Sequence, residues 1–243
     1  MKKIITLLLI ALLVLSCSSD SQDTVSSGDG QGGSLAVFAL AGDYLYNVDQ
    51  YDLNVFSLVN PSNPTQVNTK QIGFEIETLF ADGDVLYVGS RNGMFMYSIA
   101  NPEDPILISS VSHFTACDPV VSDGTTAYVT LHSNTWCGNN LNALMIYDIT
   151  NPANPVTING REMVQPKGLG LYGNYLIVCD DKIKIFDVSE PAYPSLKASI
   201  DKACHDVIVR GNELFAIGTA GVYRYTLNPD DITNITTVSE VVF

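Results

Sequence analysis

Three acidic residues, Glu77, Asp118 and Asp206, stand near the starts of successive apolar segments of this 243-residue chain. Carboxylates projecting from such segments toward a common axis could flank a sugar. Glycoside hydrolysis needs two of them about 5 to 9 Å apart around a sugar-sized cavity. Three acids among 26 can fall there by chance, so this chemistry is the alternative reading and not the leading one. A second set is polar and aromatic. The stretch His132 to Asn142, HSNTWCGNNLN, holds the single tryptophan, Trp136, beside His132, Asn134 and Asn139. Long loops on rigid scaffolds concentrate binding residues, and Trp is a frequent interface anchor. Equally, Trp136 could fold down over a neighbouring disulfide. Asp118, Asp180, Asp181, His205 and Asp206 occupy comparable loops, either as a solvated charged rim or as a site for a ligand or cation. No GxSxG or Walker pattern occurs, so neither a serine triad nor a phosphate loop is supported. No metal site or cofactor is implied.

Beyond Cys17 there are four cysteines, Cys117, Cys137, Cys179 and Cys204, all in or beside such loops. In an exported chain an even number reads as disulfides. Cys117 with Cys137 would staple the insertion to the start of its own unit. Cys179 with Cys204, across the last two units, is the remaining pair. Free buried thiols are the alternative for both. The lack of CxxC or HxxxH spacing argues against zinc.

The elements that must position these residues are repeats. LMIYDITNPANP, from Leu144 to Pro155, has degenerate copies starting at Leu53, Gly93, Ile183 and Gly221. Their aromatics, Phe56, Tyr97, Tyr147, Phe186 and Tyr225, lie 41, 50, 39 and 39 residues apart, the spacing of one four-stranded blade per repeat. Each unit opens with two apolar runs around Gly and Asp or Asn, as in FADGDVLYV from Phe80 and LYGNYLIV from Leu171. Such a pair supplies the positive φ of a tight hairpin. The aromatic stretch is strand three. The NPxxP element ends it, because proline lacks an N–H and fixes φ. A fourth, edge strand follows, as in Thr65 to Lys70, Ile106 to Val111 and Leu196 to Ile200. The chain therefore reads as all-β: a β-propeller of five blades of four antiparallel strands over residues 35–243. A closed ring would bury every blade face. An open solenoid or another blade count is the alternative, and no unit is split between the two termini.

At the N-terminus Lys2 and Lys3 precede the apolar run Ile4 to Leu15. Twelve residues at 1.5 Å rise cannot cross a hydrocarbon core of about 30 Å, so residues 1–16 read as a signal peptide. Val14, Leu15, Ser16, Cys17 resembles the bacterial lipobox, which implies lipidation of Cys17 and attachment to a membrane. Residues 17–34 hold one aliphatic residue after the cysteine, Val25, and read as a disordered tether. A Gly/Ser-like coil of this length reaches roughly 22 Å. Ser18 in place of Asp favours the outer membrane. Asp20 and Asp23 resemble surface-export signals, and Asp23, Thr24, Val25 resembles an O-glycosylation triplet of the same bacteria.

Together the NPxxP units, hairpins and lipobox resemble the LVIVD-repeat lipoproteins of Bacteroidetes, through GGSLAVFALAGDYLY from Gly32, CDPVVSDGTTAYVTL from Cys117 and GLGLYGNYLIVCD from Gly168. No unit spells LVIVD, the fourth has Glu190 where Asn is usual, and the fifth lacks the second proline. The resemblance implies a surface-attached propeller and carries no catalytic residues. The formal charge of −14, more negative once Lys2 and Lys3 leave, disfavours nucleic acid. It favours solubility and a basic or cation-bridged partner. The leading expectation is a lipid-anchored, non-catalytic binding or scaffold module in the cell envelope, for a protein or glycan partner. A glycosidase is the alternative.

Overall fold

The computed structural model describes residues 33–73, 75–91, 93–112, 119–133 and 141–243. They form five antiparallel sheets of four strands, each sheet in sequence order. Blade I comprises β1 (Phe38–Ala41), β2 (Tyr44–Val48), β3 (Asp52–Ser57) and β4 (Thr65–Gln71). Blade II comprises β5 (Ile76–Asp82), β6 (Val85–Ser90), β7 (Gly93–Ser98) and β8 (Ile106–Ser112). Blade III comprises β9 (Val120–Ser122), β10 (Thr126–Leu131), β11 (Ala143–Asp148) and β12 (Val156–Glu162). Blade IV comprises β13 (Leu169–Tyr172), β14 (Tyr175–Cys179), β15 (Ile183–Asp187) and β16 (Ser195–Ile200). Blade V comprises β17 (Asp206–Arg210), β18 (Glu213–Gly218), β19 (Gly221–Thr226) and β20 (Thr236–Val242). This is a five-bladed β-propeller, and among the described residues no sheet takes strands from both ends of the chain. Blade V acquires its fourth strand despite the missing second proline, after a longer turn that buries Ile232.

The five opening hairpins share one device. Gly42, Gly83, Gly124, Gly173 and Gly211 all adopt φ between 53° and 86°, the left-handed region that costs glycine nothing. Each strand four also carries a register shift at the same place, between Val55/Phe56, Met96/Tyr97, Ile146/Tyr147, Ile185/Phe186 and Arg224/Tyr225 on its neighbour. Such bulges sharpen the twist that lets blades wrap an axis.

Because side chains alternate across a strand, each blade sends one set toward the preceding blade and one toward the next. In strand one the residues facing backward are Phe38, Leu79, Val120, Leu169 and Val207 by hairpin register. The last four are at most 2% exposed, whereas Phe38 is 53% exposed. The forward set is Ala39, Phe80, Val121, Gly170 and Ile208; Ile208 alone is open, at 44%. Blade I packs with blade II, blades II, III and IV share a core, and blade IV packs with blade V. No hydrophobic cluster among the described residues joins blade V to blade I. The sequence expectation that every blade face is buried therefore fails at this one junction. Burying a Phe or Ile is worth about 1.5–3 kcal/mol, so the two end faces leave several kcal/mol of burial unused.

The NPxxP turns have a role across blades. Asn68 Nδ2 of β4 donates to the carbonyl of Glu103 at 2.7 Å, Ser109 Oγ of β8 to that of Pro152 at 2.5 Å, and Asn159 Nδ2 of β12 to that of Ala192 at 2.7 Å. All three donors hold the same register in strand four. Each proline-bounded turn thus offers a rigid carbonyl to the blade before it. Arg161 adds a second bond, to the carbonyl of Pro194 at 3.1 Å, and stacks on Phe186 at 4.9 Å.

Candidate functional site

The sequence places the candidate rim where strand one begins and strand two ends. Asn134, Trp136, Cys137 and Asn139, like Cys117 and Asp118, lie outside the described residues, so the Cys117–Cys137 pairing does too. So does Cys17. The described members are on the expected rim, and most of them serve the fold. Cys179, ending β14, is bonded to Cys204, just before β17, with Cα atoms 5.3 Å apart. This disulfide ties blades IV and V, as the second of the two pairings anticipates.

Asp180 has a fully buried side chain. Its carboxylate accepts from the backbone N–H of Val164 and Gln165, in the strap entering blade IV, and from Lys184 Nζ at 2.6 Å. Asp181 reaches the same lysine at 2.7 Å. Burial works against the charge of Lys184, but the bonds to Asp180 and Asp181 outweigh it and raise its pKa. In turn Lys184 holds the Asp181 carboxyl below the ordinary range. His205 Nε2 lies 3.0 Å from Thr219 Oγ1. His132 follows β10 at the base of the insertion, where Ser133 N donates to Asn142 Oδ1 at 2.7 Å.

Asp206 is a latch. It accepts from Ser34 Oγ at 3.2 Å and from the N–H of Leu35 at 3.3 Å, while Leu169 N donates to Ser34 Oγ at 2.7 Å. The segment entering blade I thereby touches blades IV and V across the axis, and Leu79 N adds blade II by donating to the carbonyl of Ala36 at 2.7 Å. A Cβ at Gly33 or Gly168 would overlap the Asp206 carboxyl, so both approaches require glycine. Burial raises the Asp206 pKa, and bonds from Val207 N, Leu35 N and Ser34 partly offset that.

The proposed carboxylate set fares similarly. Glu77 sits at the register shift of β5, Asp118 is outside the described residues, and Asp206 is committed to Ser34. The axial cavity is about 20 Å³, room for one water, and is lined by Phe80, Val121, Leu169 and Val207 among others, but by neither Glu77 nor Asp206. No group of three or more His, Cys, Asp or Glu residues that could hold a metal occurs among the described residues.

The opposite rim, formed by the hairpin turns and the NPxxP turns, carries a feature that the sequence reading missed. Two grooves lie at equivalent places between blades. One, about 480 Å³, is bounded by Tyr172, Asn174, Tyr175 and Asp187 of blade IV and by Asn212 and Pro229 of blade V. The other, about 270 Å³, is bounded by Asp43, Tyr44 and Tyr46 of blade I and by Asp84 and Pro102 of blade II. Tyr172 OH donates to Asn212 Oδ1 at 3.0 Å, Tyr44 OH to Glu103 Oε1 at 3.1 Å and Tyr46 OH to the carbonyl of Pro102 at 2.9 Å. Burial raises Tyr46 to about 12 and, with Asp230 and Tyr175, raises Tyr172, so both are neutral donors. Tyr44 and Tyr175 share one hairpin position, where blades II and III have Val85 and Thr126. The signal was present as tyrosines beside the turn glycines, but which tyrosines face a neighbouring turn depends on blade stacking.

The profile of the LVIVD repeat matches residues 32–70, 136–159 and 167–202. Three segments of the chain carry the LVIVD repeat. The matched segments take in blade I as far as Lys70, strand β11 with the first half of β12, and blade IV; blades II and V repeat the same topology outside them. Among solved structures the chain is similar to the computationally designed Ika8 protein, at 8% identity and TM-score 0.61 over 84% of this chain and 60% of that one. It is similar to the periplasmic gluconolactonase PpgL of Pseudomonas aeruginosa, at 14% identity and TM-score 0.63, over 83% and 68% of the two chains. A Lactobacillus plantarum protein aligns at 12% identity and TM-score 0.65, over 82% and 68%. The chain thus spans less than two thirds of the first of these and slightly more of the others, and the likeness is one of fold. No curated protein sequence matches it significantly.

Proposed function

We propose that the protein is a non-catalytic binding module, held in the cell envelope by a lipid on Cys17, that seats a protein or glycan partner in the inter-blade grooves of its turn rim. The observation that carries this reading is the pair of equivalent grooves walled by Tyr44 and Tyr46 and by Tyr172 and Tyr175. Apolar rings beside a few fixed donors and acceptors are the usual make-up of a recognition site. The lipobox and the polar stretch after it support display on a membrane, and the net charge of −14 favours a basic or cation-bridged partner. Trp136 and its neighbours His132, Asn134 and Asn139 would extend the binding surface on the other rim.

Carbohydrate cleavage by Glu77, Asp118 and Asp206 draws less support. The gluconolactonase shares only a fold with this chain at 14% identity, and the cavity of about 20 Å³ beside Phe80, Val121, Leu169 and Val207 has room for a water and not for a sugar ring.

The test places a photo-crosslinking residue at Tyr175 or at Trp136 in the full-length protein in whole cells, with Val67, exposed on β4, as control. A discrete adduct from Tyr175 that is absent from Val67 supports the grooves as the seat. Adducts from Trp136 alone transfer the role to the other rim. Turnover of a glycan or lactone panel by the purified protein, lost in Glu77→Gln, would replace the reading with an enzyme.

A further inference from the structure

The end faces are the two halves of an interface that this chain makes four times. Each inner junction sets the forward face of one blade on the backward face of the next, and among the described residues the forward face of blade V and the backward face of blade I lack such a partner, blade V meeting only the entering segment at the Asp206 latch. Both retain the chemistry of a junction. Phe38 and Leu40 of blade I are 53% and 45% exposed; Ile208, Ile217 and Val241 of blade V are 44%, 46% and 62% exposed. Phe56 on blade I holds the register of Phe186, the ring on which Arg161 stacks.

The polar brace is retained as well. Ser239 holds in β20 the register of the donors Asn68, Ser109 and Asn159. The matching acceptor turn, Asn60 to Pro64, is complete in blade I and closed by the same backbone bond, Asn63 N to Asn60 O at 3.0 Å, as Asn154 N to Asn151 O at 2.9 Å. Blade IV, whose successor lacks the second proline, has Ala198 at the donor position. Donor and two-proline turn therefore occur together at three junctions and are both absent from the fourth. Blade I keeps the turn and blade V keeps the donor, though no hydrophobic cluster among the described residues joins the two blades.

We infer that these faces join head to tail between copies, blade V of one protein on blade I of a second. The occupant is a second copy because, among the described residues, the face that complements the donor Ser239 and the open row Ile208, Ile217 and Val241 of blade V is the acceptor turn and open backward row of blade I. Residues 18–32 have a single aliphatic side chain and no aromatic, so their composition offers little apolar surface to match either face. The contact is heterologous, so two copies close only if both ends engage.

The experiment uses the full-length protein in two single-cysteine additions, Ser62→Cys and Ser239→Cys. A short thiol-to-thiol crosslinker should join the two variants into a product of twice the chain mass when they are mixed, and should leave each alone at the background of the native cysteines. Light scattering should give twice the mass of one chain, falling on dilution. Phe38→Asp or Ile217→Asp should weaken the association on the order of 100-fold, while melting temperature and sheet signal hold, since both side chains are open in a single chain. A single-chain mass at every concentration would overturn the inference. So would an intramolecular link in the Ser62→Cys/Ser239→Cys double variant, which would show the ring closing on itself, or crosslinks reaching only a different polypeptide.

Discussion

Where strand one starts and strand two ends, Asp180 and Asp206 turn inward onto backbone N–H groups and the Cys179–Cys204 disulfide ties two blades together. Where the hairpins and NPxxP turns end, Tyr44 and Tyr175 line grooves whose floors are turn backbone. The same twenty-strand scaffold thus spends polar groups on closure at one rim and leaves rings and acceptors facing solvent at the other. Acidic residues beside strand ends do not mark a site by themselves. What matters is whether the neighbouring blade has already taken their lone pairs.

The largest expected effect tests the closure side. Cys179→Ser with Cys204→Ser opens a link spanning a separation of 25 residues and should cost about 3 kcal/mol, read as a lower midpoint in urea. Capture at the grooves should persist below the melting temperature. An unchanged midpoint would remove the disulfide from the list of braces.

Next is Asp206→Ala, which strands Ser34 Oγ and Leu35 N and should cost about 1–3 kcal/mol. Asp206→Asn, which keeps an acceptor, should cost less, and equal losses would mean that charge and not bonding holds the latch.

On the groove side, Tyr175→Ala should weaken partner capture roughly tenfold, the range of one interface side chain, with a smaller change in stability. Tyr172→Phe removes only the bond to Asn212 and should cost about 0.5–1.5 kcal/mol. If neither variant changes capture, the comparison between the rims loses its functional half.

The smallest effects differ in sign with pH. Burial raises the Asp206 carboxyl above its ordinary value, so its contribution is fully present below the unfolded pKa and is lost as pH rises through the raised one. At the turn rim Asp148 and Asp231 accept from Thr150 and Thr233, side chain and backbone, which lowers their pKa values. Their contribution is present above the ordinary value near 3.8 and is lost as pH falls through the lowered one. Melting between pH 7 and pH 2.5 should show Asp206→Asn and Asp148→Asn shifting the acid limb in opposite directions.

The blades were legible because each is a local object. The hairpin glycines, the aromatic of strand three and the NPxxP stop recur at nearly fixed spacing, and nearest-neighbour rules place four strands from them without knowledge of the rest. The rim was legible as an address: Asp180, His205 and Asp206 stand where loop order puts them. Their roles were not, since Ser34 meets Asp206 across 172 positions of sequence and Gly33 reads as tether until the latch is seen. The tyrosine grooves were missed for the same reason, because a groove belongs to two blades and no repeat contains it whole.

By itself the sequence determined the repeat, the strand order, the turn chemistry and the acidic balance, all of which follow from residue type and short-range spacing. Tertiary structure alone decided which carboxylates are consumed, which tyrosines share a groove, and that the faces of blades I and V stay open. Those outcomes depend on the angle at which successive sheets stack, a sum of small twists and bulges over five blades that no single repeat encodes.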